Sequence, residues 1–207
     1  MLNLRIFDGM GKKNAARVTD SNELLTISSP YPPFEATKTR PFRQYFTADG
    51  TSSGSNDMGV DGSSTNSDFY IRANGDMDRY ITTINFLVGY GTSGQPNEWA
   101  DGTDLTNGTR FFWVSGLGEV DIHDGIKSNQ DMFRLSFDLI PTNWEVRHVN
   151  ASNDYGYVFS MDLTKMGLPY GIKLDGGTTQ KIIFCIRDNA TAADSFNAIG
   201  YGFERFK

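Results

Sequence analysis

Few side chains in this 207-residue chain combine the types and spacing that catalysis requires. The clearest group is Asp121, His123 and Asp124, in which an imidazole lies next to two carboxylates. A histidine beside a carboxylate can act as a general base, but hydrolysis also needs a positioned nucleophile or a metal ion. In an alternating strand Asp121 and His123 would share a polar face at the end of a hairpin. We therefore expect a structural role for this group and predict that the protein is not an enzyme.

The metal-binding patterns are equally weak. His148 is the only other histidine, which excludes a zinc site built from several histidines. Two polar loops, residues 56–62 and 101–104, carry Asp and Asn oxygens of the kind that bind calcium. Neither loop has the spacing of an EF-hand, and Asp-Gly turns are common. We predict no bound metal and no cofactor.

Aromatic and sulfur side chains offer two further kinds of site. Trp99, Trp113 and Trp144 could stack on sugars if they are exposed, although tryptophans more often belong to a core or a subunit contact. Cys185 is the only cysteine and lies in the apolar run KIIFCIRD, so we predict a buried thiol. A carboxylate pair for glycoside hydrolysis cannot be recognised from sequence, because its members meet only in the fold.

The stretch at residues 68–91 has the longest strand pattern in the chain. Its side chains alternate, which predicts Tyr80, Ile84 and Phe86 on one face and Ile81 on the other. The turn at residues 74–76 separates this long strand from a shorter one. The pattern therefore predicts a strand, a tight turn and a long strand that together form the centre of an antiparallel sheet.

Further alternating segments raise the total to about ten strands, with one helical turn at residues 163–168. Residues 110–115 and 119–123 flank a Gly-Leu-Gly turn and predict a hairpin. Residues 132–137 also alternate, whereas residues 143–152 fit either a strand or an irregular connection. The chain is therefore expected to be all-β, as a two-sheet antiparallel sandwich wound as a jelly roll, with a barrel as the alternative. Five side chains are predicted to lie in its core: Ile84, Phe86, Ile182, Phe184 and Ile186.

The N-terminal part of the chain predicts an extended arm. Residues 1–28 have the pattern of a small β-meander, and the prolines that follow, Pro30, Pro32 and Pro33, hold the chain extended. We therefore divide the chain into an N-terminal meander with a Pro-rich arm at residues 1–47 and a sandwich domain at residues 48–207. The apolar side chains of the arm are the candidate contacts with neighbouring subunits: Leu4, Ile6, Leu24, Ile27, Tyr31, Phe34 and Phe42.

Composition and charge exclude several classes of partner. The formal net charge is -6 and the basic residues are scattered, so we expect no nucleic-acid partner. The N-terminus lacks the pattern of a signal peptide, and no apolar run approaches the roughly 20 residues that span a bilayer. We therefore expect no membrane partner and synthesis in a cytoplasm.

Three segments resemble structural proteins of tailed bacteriophages and prophages. The opening DGMGKKNAARVTDSNELLTISS has an Asp-Gly turn, an Ala-x-Val strand and an Asn-x-Leu strand, an N-terminal pattern found in many such proteins. The segments NDMGVDGSSTNSDFYIRANGDMDRYITTINFLVG and RDNATAADSFNAIGYGFERF are similar to virion proteins encoded near phage head and tail genes. The resemblance implies a particle component with a jelly-roll body, and it supplies no functional residues to transfer.

Two functions follow as expectations from this resemblance. The first is a non-enzymatic capsid cement or decoration protein, made in the host cytoplasm and located in the virion. Its partners would be the major capsid protein, other virion proteins and further copies of itself, as a homotrimer. The alternative is a tail or baseplate module whose loops recognise a host surface glycan. A Pro-rich arm ahead of an aromatic-rich body favours the first function, because arm exchange ties neighbouring subunits together.

Overall fold

The computed structural model describes residues 5–7, 13–15, 17–18, 24–25, 38–51, 57–90, 105–128, 131, 142–148, 155–193 and 195–207. The chain divides into two compact units, Met1–Phe34 and Glu35–Lys207. In the first unit two antiparallel pairs form, β1 with β2 and β3 with β4. Their bounds are β1 (Arg5–Phe7), β2 (Lys13–Ala15), β3 (Arg17–Val18) and β4 (Leu24–Leu25).

The second unit is an antiparallel β-sandwich, as the alternation of its sequence predicts. One sheet has the order β10-β11-β7-β14-β5, with β12 also paired to β7, and the other has the order β6-β13-β8-β9. A 3-10 turn, Leu163–Met166, follows β11 where a helical turn is predicted. The ten strands among the described residues of this unit are β5 (Thr39–Tyr45), β6 (Ser67–Arg72), β7 (Met77–Tyr90), β8 (Thr109–Ser115), β9 (Gly118–Ile126), β10 (Thr142–His148), β11 (Tyr155–Asp162), β12 (Ile172–Leu174), β13 (Lys181–Ile186) and β14 (Ser195–Phe206).

The two sheets differ in size, and two hairpins of the sandwich each lie within one sheet. The larger sheet has six described strands and the smaller sheet has four. The predicted hairpin of β8 and β9 forms within the four-stranded sheet, and β10 pairs with β11 within the larger one. The segment at residues 143–152 is therefore a strand at its start. The strand predicted at residues 132–137 lies outside the described residues.

The turn after β6 joins the two sheets, which corrects the predicted hairpin. β6 pairs with β13, whereas β7 pairs with β11, β12 and β14. Both strands carry one apolar face, and crossing between sheets lets these faces meet in the interior. Ile71 of β6, for example, is fully buried and reaches Gly200 of β14 in the opposite sheet.

Aromatic rings fill the space between the sheets. The rings of Phe111 and Phe184 stack with centroids 4.3 Å apart, and Phe86 from the larger sheet meets Phe184 edge-on at 4.3 Å. Such pairs stabilise a core beyond the area they bury. All five side chains predicted for the core are buried: Ile84, Phe86, Ile182, Phe184 and Ile186.

A β-bulge at Thr82 changes the phase of β7, so one part of the predicted alternation is wrong. Thr83 pairs with Tyr201 and Ile81 pairs with Gly202, which leaves Thr82 as an extra residue. Ile81 and Ile84 are therefore both fully buried although they are three residues apart. Tyr80, which alternation would place beside Ile84, instead stacks on Phe203 at 4.6 Å and stays partly exposed.

Two glycines allow neighbouring strands to approach the bulge. A Cβ on Gly202 would lie 1.8 Å from the carbonyl oxygen of Tyr80, and one on Gly171 would lie 2.0 Å from that of Ile81. Gly171 also has a φ of 71°, a conformation that favours glycine. Only glycine fits at either position without moving the backbone of β7.

The sandwich begins before residue 48, which corrects the expected extent of the arm. β5 pairs with β14 along its length, and Phe42 is buried in the core. Phe42 is therefore a core residue of the sandwich. Its ring is buried and is not exposed for the assembly contact predicted for it. Ile6 and Leu24 lie in β1 and β4. The other candidate contacts lie outside the described residues: Leu4, Ile27, Tyr31 and Phe34. No described helix is long and apolar enough to cross a membrane.

Candidate functional site

A row of charged side chains crosses the interior face of the larger sheet near one end. Glu204 on β14 is the direct cross-strand neighbour of Arg40 on β5 and of Arg79 on β7. Its carboxylate accepts a hydrogen bond from Arg79 Nε at 2.7 Å and one from Arg40 Nε at 2.7 Å. Only 3% of Glu204 is exposed. A carboxylate buried to this extent requires paired cations, and the two neighbouring strands supply them.

The two arginines keep Glu204 ionised. Burial alone would raise the pKa of the Glu204 carboxyl, because desolvation disfavours the charged form. Hydrogen bonds from Arg79 and then from Arg40 oppose this effect and leave the pKa lowered from its usual value. The site therefore holds a fixed negative charge with two fixed positive charges around it.

Arg79 is held by several partners at once. Its Nη1 donates to Gln44 Oε1 at 2.9 Å and to the carbonyl oxygen of Arg72 at 2.5 Å. The guanidinium also lies over the ring of Phe42, 4.8 Å from the ring centroid. Gln44, itself buried, donates to the carbonyl oxygen of Gly50 at 2.7 Å. These contacts fix the guanidinium in a single orientation.

A polar cleft of about 410 Å³ opens above this network. Its lining comes from β5 and the loop after it, from the end of β6, the turn that follows and the start of β7, and from the loop before β13. A volume of this size accommodates a small ligand. Six polar side chains line it: Gln44, Thr51, Arg72, Asn74, Arg79 and Thr178.

The candidate catalytic group is divided by a second bulge. Asp121 pairs with Phe112 and His123 pairs with Phe111, so the register shifts between them. Because Phe111 and Phe112 belong to opposite faces, Asp121 and His123 do not share the polar face that alternation predicts. Asp121 instead binds Arg110 Nε at 2.6 Å.

His123 is half-buried, and this burial shifts the pKa of its imidazole. Burial lowers its pKa, and the charges of Asp131 and Asp124 oppose that shift only in part. Asp124 also binds Arg187 Nη2 at 2.5 Å. Two of the three grouped side chains, Asp121 and Asp124, thus form ion pairs with arginines.

The loop considered for calcium serves the fold. The Asp57 carboxylate accepts from the backbone N–H of Gly59, and that of Asp61 accepts from Ser63. Met58 is fully buried, which anchors the loop against the sandwich. Among the described residues no group of three or more His, Cys, Asp or Glu could hold a metal ion. Residues 101–104 lie outside that set.

A second buried carboxylate holds the loop before β8. Asp188 accepts from the backbone N–H groups of Asn107 and Gly108 at 3.0 and 2.8 Å, and from the Asn107 side chain at 3.1 Å. Arg187 Nε donates to the carbonyl oxygen of Gly108 at 2.8 Å. This network joins two distant segments and leaves the Asp188 oxygens occupied by protein donors.

The tryptophans and the cysteine are also predicted as possible binding or buried side chains. Trp113 is partly buried and packs against the core, which favours a structural role for it. Trp144 lies in β10, and Trp99 is outside the described residues. Cys185 is buried as predicted, and burial together with a hydrogen bond to Asp68 raises the pKa of its thiol to about 12.

The charged row and its cleft were missed by sequence reasoning. Arg40, Arg79 and Glu204 are far apart in the chain, and period-two alternation places Arg79 on the same face as Ile81 and away from Ile84 and Phe86. The available signal was Gly202, which marks a close approach of two strands. Sequence alone did not reveal which strand approaches it.

Comparison with protein-family models, with curated proteins and with solved structures finds no match for this chain. The fold and the site by themselves define the class of this protein: an antiparallel β-sandwich with a buried Arg-Glu-Arg row beneath a polar cleft.

Proposed function

We propose that this protein is a non-enzymatic structural component of a tailed-phage particle, most specifically a capsid cement or decoration protein. In this role its N-terminal unit contacts neighbouring subunits, while the sandwich forms the rigid body. The resemblance of three sequence segments to virion proteins motivates the proposal, and the all-β architecture agrees with what that resemblance implies.

The single observation that supports this role is the division of the chain after Phe34. Met1–Phe34 is compact by itself, and the sandwich is built from Glu35–Lys207. The sequence predicts an extended Pro-rich segment at the end of the first unit, where Pro30, Pro32 and Pro33 lie, and an extended segment suits contacts outside the chain's own sandwich. The major capsid protein and further copies of this chain, as a homotrimer, are the partners that we propose.

Deletion of residues 1–34 tests this role. The cut spares β5 and therefore spares Arg40, which binds Glu204. We expect the shortened protein to keep its folding transition, measured by circular dichroism. We expect it to lose binding to phage particles from which the full-length protein is absent. Unchanged particle binding would contradict the proposal, and so would unfolding of the sandwich.

A substitution at the tip of the β8–β9 hairpin provides the matched control. Leu117 is fully exposed there and lies in the sandwich. We expect Leu117→Ser to leave particle binding unchanged, since the proposed contact lies in the N-terminal unit. Loss of binding in this variant would indicate that the particle contact lies on the sandwich and not on the N-terminal unit.

A second candidate function is a tail or baseplate module that binds a host surface glycan. The observation that favours it is the polar cleft at one end of the sandwich, where loops and a turn supply hydroxyl and amide groups. Titration with sugars, described below, tests this candidate separately from the structural role.

A further inference from the structure

We propose that the cleft above the charged row binds an acidic sugar, whose carboxylate is held by Arg72 and Arg79. This inference rests on the glycan-binding candidate and is independent of the structural role. It depends on three properties of the cleft: its charge, the orientation of Arg79, and its polar lining.

The charge of the cleft favours an anion. Arg72 and Arg79 line it, and no carboxylate is among its described lining residues. Glu204 carries one negative charge beneath the cleft but binds two guanidinium groups, those of Arg40 and Arg79. Arg72 has an exposed side chain and forms no ion pair within the described part of the chain. The described lining therefore contains two cations and no anion, although the Asp49 carboxylate is hydrogen-bonded to the lining residue Thr51, and a bound carboxylate would pair with the two arginines.

Arg79 lines the cleft, and one of its nitrogens has no hydrogen-bond partner among the described residues. Its Nε is bound to Glu204, and its Nη1 is bound to Gln44 and to the backbone of Arg72. Its Nη2 donates no hydrogen bond to any described residue, and the side chain keeps 14% of its surface exposed. A guanidinium fixed on two sides with donors left on the third is pre-organised for a carboxylate, because no rotamer freedom remains to be lost on binding.

The rest of the lining suits a sugar ring. Thr51, Asn74 and Thr178 bring hydroxyl and amide groups from three separate segments. The Thr51 and Thr178 hydroxyls already donate to Asp49 Oδ2 and to the carbonyl oxygen of Asp175, so they would accept hydrogen bonds from sugar hydroxyls, and the Asn74 amide nitrogen would donate. The volume of about 410 Å³ exceeds that of a small inorganic anion and lies in the range of small-ligand sites. A ligand with one carboxylate and several hydroxyls matches both features.

Titration of the full-length protein with three probes tests the assignment. D-glucuronate supplies the carboxylate and hydroxyls, D-glucose supplies the same ring without the charge, and inorganic phosphate supplies charge without the ring. Amide chemical shifts in two-dimensional NMR report binding. We expect D-glucuronate to bind about tenfold or more tightly than either other probe, since hydrogen bonds to a charged group are stronger than those between neutral groups and only this probe offers both the carboxylate and the ring hydroxyls.

Variants identify the arginines. Arg72→Gln should weaken D-glucuronate binding about tenfold without unfolding the protein, because Arg72 is exposed. Arg79→Lys keeps a cation beside Glu204 and removes Nη2, so it should weaken binding as well. If the Arg79→Lys variant does not fold, the affinity of Arg72→Gln by itself tests the inference. The matched control is Arg43→Gln, an equal charge change at an exposed arginine of β5 outside the cleft, which should leave the affinity unchanged.

Three outcomes would overturn the inference in different ways. Equal binding of D-glucose and D-glucuronate would keep a glycan site but remove the role of the arginines. Equal binding of phosphate and D-glucuronate would leave a general anion site without a sugar. Absence of binding by all three probes at millimolar concentration would reject the cleft as this site, while particle binding by the intact chain would be unaffected.

Discussion

Arg79 Nε lies 2.7 Å from Glu204 Oε1, and the two residues face each other across β7 and β14 because of the bulge at Thr82. Without the extra residue the alternation of β7 would turn Arg79 to the outer face and Tyr80 to the interior. The bulge therefore places the cation that the buried carboxylate needs. It links a backbone irregularity to the charge balance beneath the cleft.

Arg79 should contribute far more to stability than Arg40. Arg79→Met removes the more buried cation and leaves Glu204 with only an exposed partner, so we expect a loss of about 3 to 5 kcal/mol in the free energy of unfolding. Arg40 has 55% of its side chain exposed, so Arg40→Met should cost about 1 kcal/mol or less. Urea denaturation of both variants measures the difference. Equal losses would show that burial does not distinguish the two pairs.

Acid should weaken the fold through Glu204. Its folded-state pKa is lowered below the usual 4.5, so its stabilisation is present above that value and is lost as the pH falls through the folded-state pKa. We expect the free energy of unfolding to fall as the pH drops below about 4.5, and to fall less steeply in Glu204→Gln. Asp162 and Asp175 also have lowered pKa values and retain part of the slope.

The control for the acid experiment is Glu119→Gln. Glu119 is an exposed partner of Arg110, and exposed ion pairs contribute little. Its pH profile should match that of the unaltered protein. A profile of Glu204→Gln equally close to the unaltered protein would contradict the assigned role of Glu204. Thermal unfolding monitored between pH 3 and pH 7 supplies both comparisons.

Gly202→Ala should destabilise the bulge. The new Cβ would overlap the backbone oxygen of Tyr80, which cannot move without shifting β7, so we expect a loss of about 3 kcal/mol. Gly75→Ala is the matched control, because nothing lies within 4 Å of a Cβ at Gly75 and we expect a change within about 0.5 kcal/mol. Chemical denaturation measures both. A neutral Gly202→Ala would mean that the strands can separate at the bulge without cost.

Phe86→Ala should test the aromatic centre of the sandwich. Phe86 has 1% of its surface exposed and meets the rings of Phe111 and Phe184, so truncation leaves a cavity and should cost about 3 to 5 kcal/mol. Phe206→Ala removes an equal volume from a ring that is 46% exposed and should cost clearly less. Similar losses in the two variants would show that contacts other than burial dominate.

The sequence by itself determined the fold class. Alternation of apolar and polar residues specifies strands locally, and for this reason the two-sheet antiparallel sandwich, the β8–β9 hairpin and core residues such as Ile182 and Phe184 were predictable. The burial of Cys185 followed from its apolar neighbours in the same way. Each of these features depends on residues within a few positions of one another.

The tertiary structure alone decided where the alternation breaks and which distant residues meet. The bulges at Thr82 and at Ile122 change which side chains share a face. The alternation within a strand does not show where an extra residue will interrupt its pairing with the neighbouring strand. The placement of β6 and β7 in different sheets, and the meeting of Arg79 with Glu204, depend on pairings between strands that are distant in sequence. These pairings are fixed by the mutual burial of two apolar faces, which exists only once both sheets have formed.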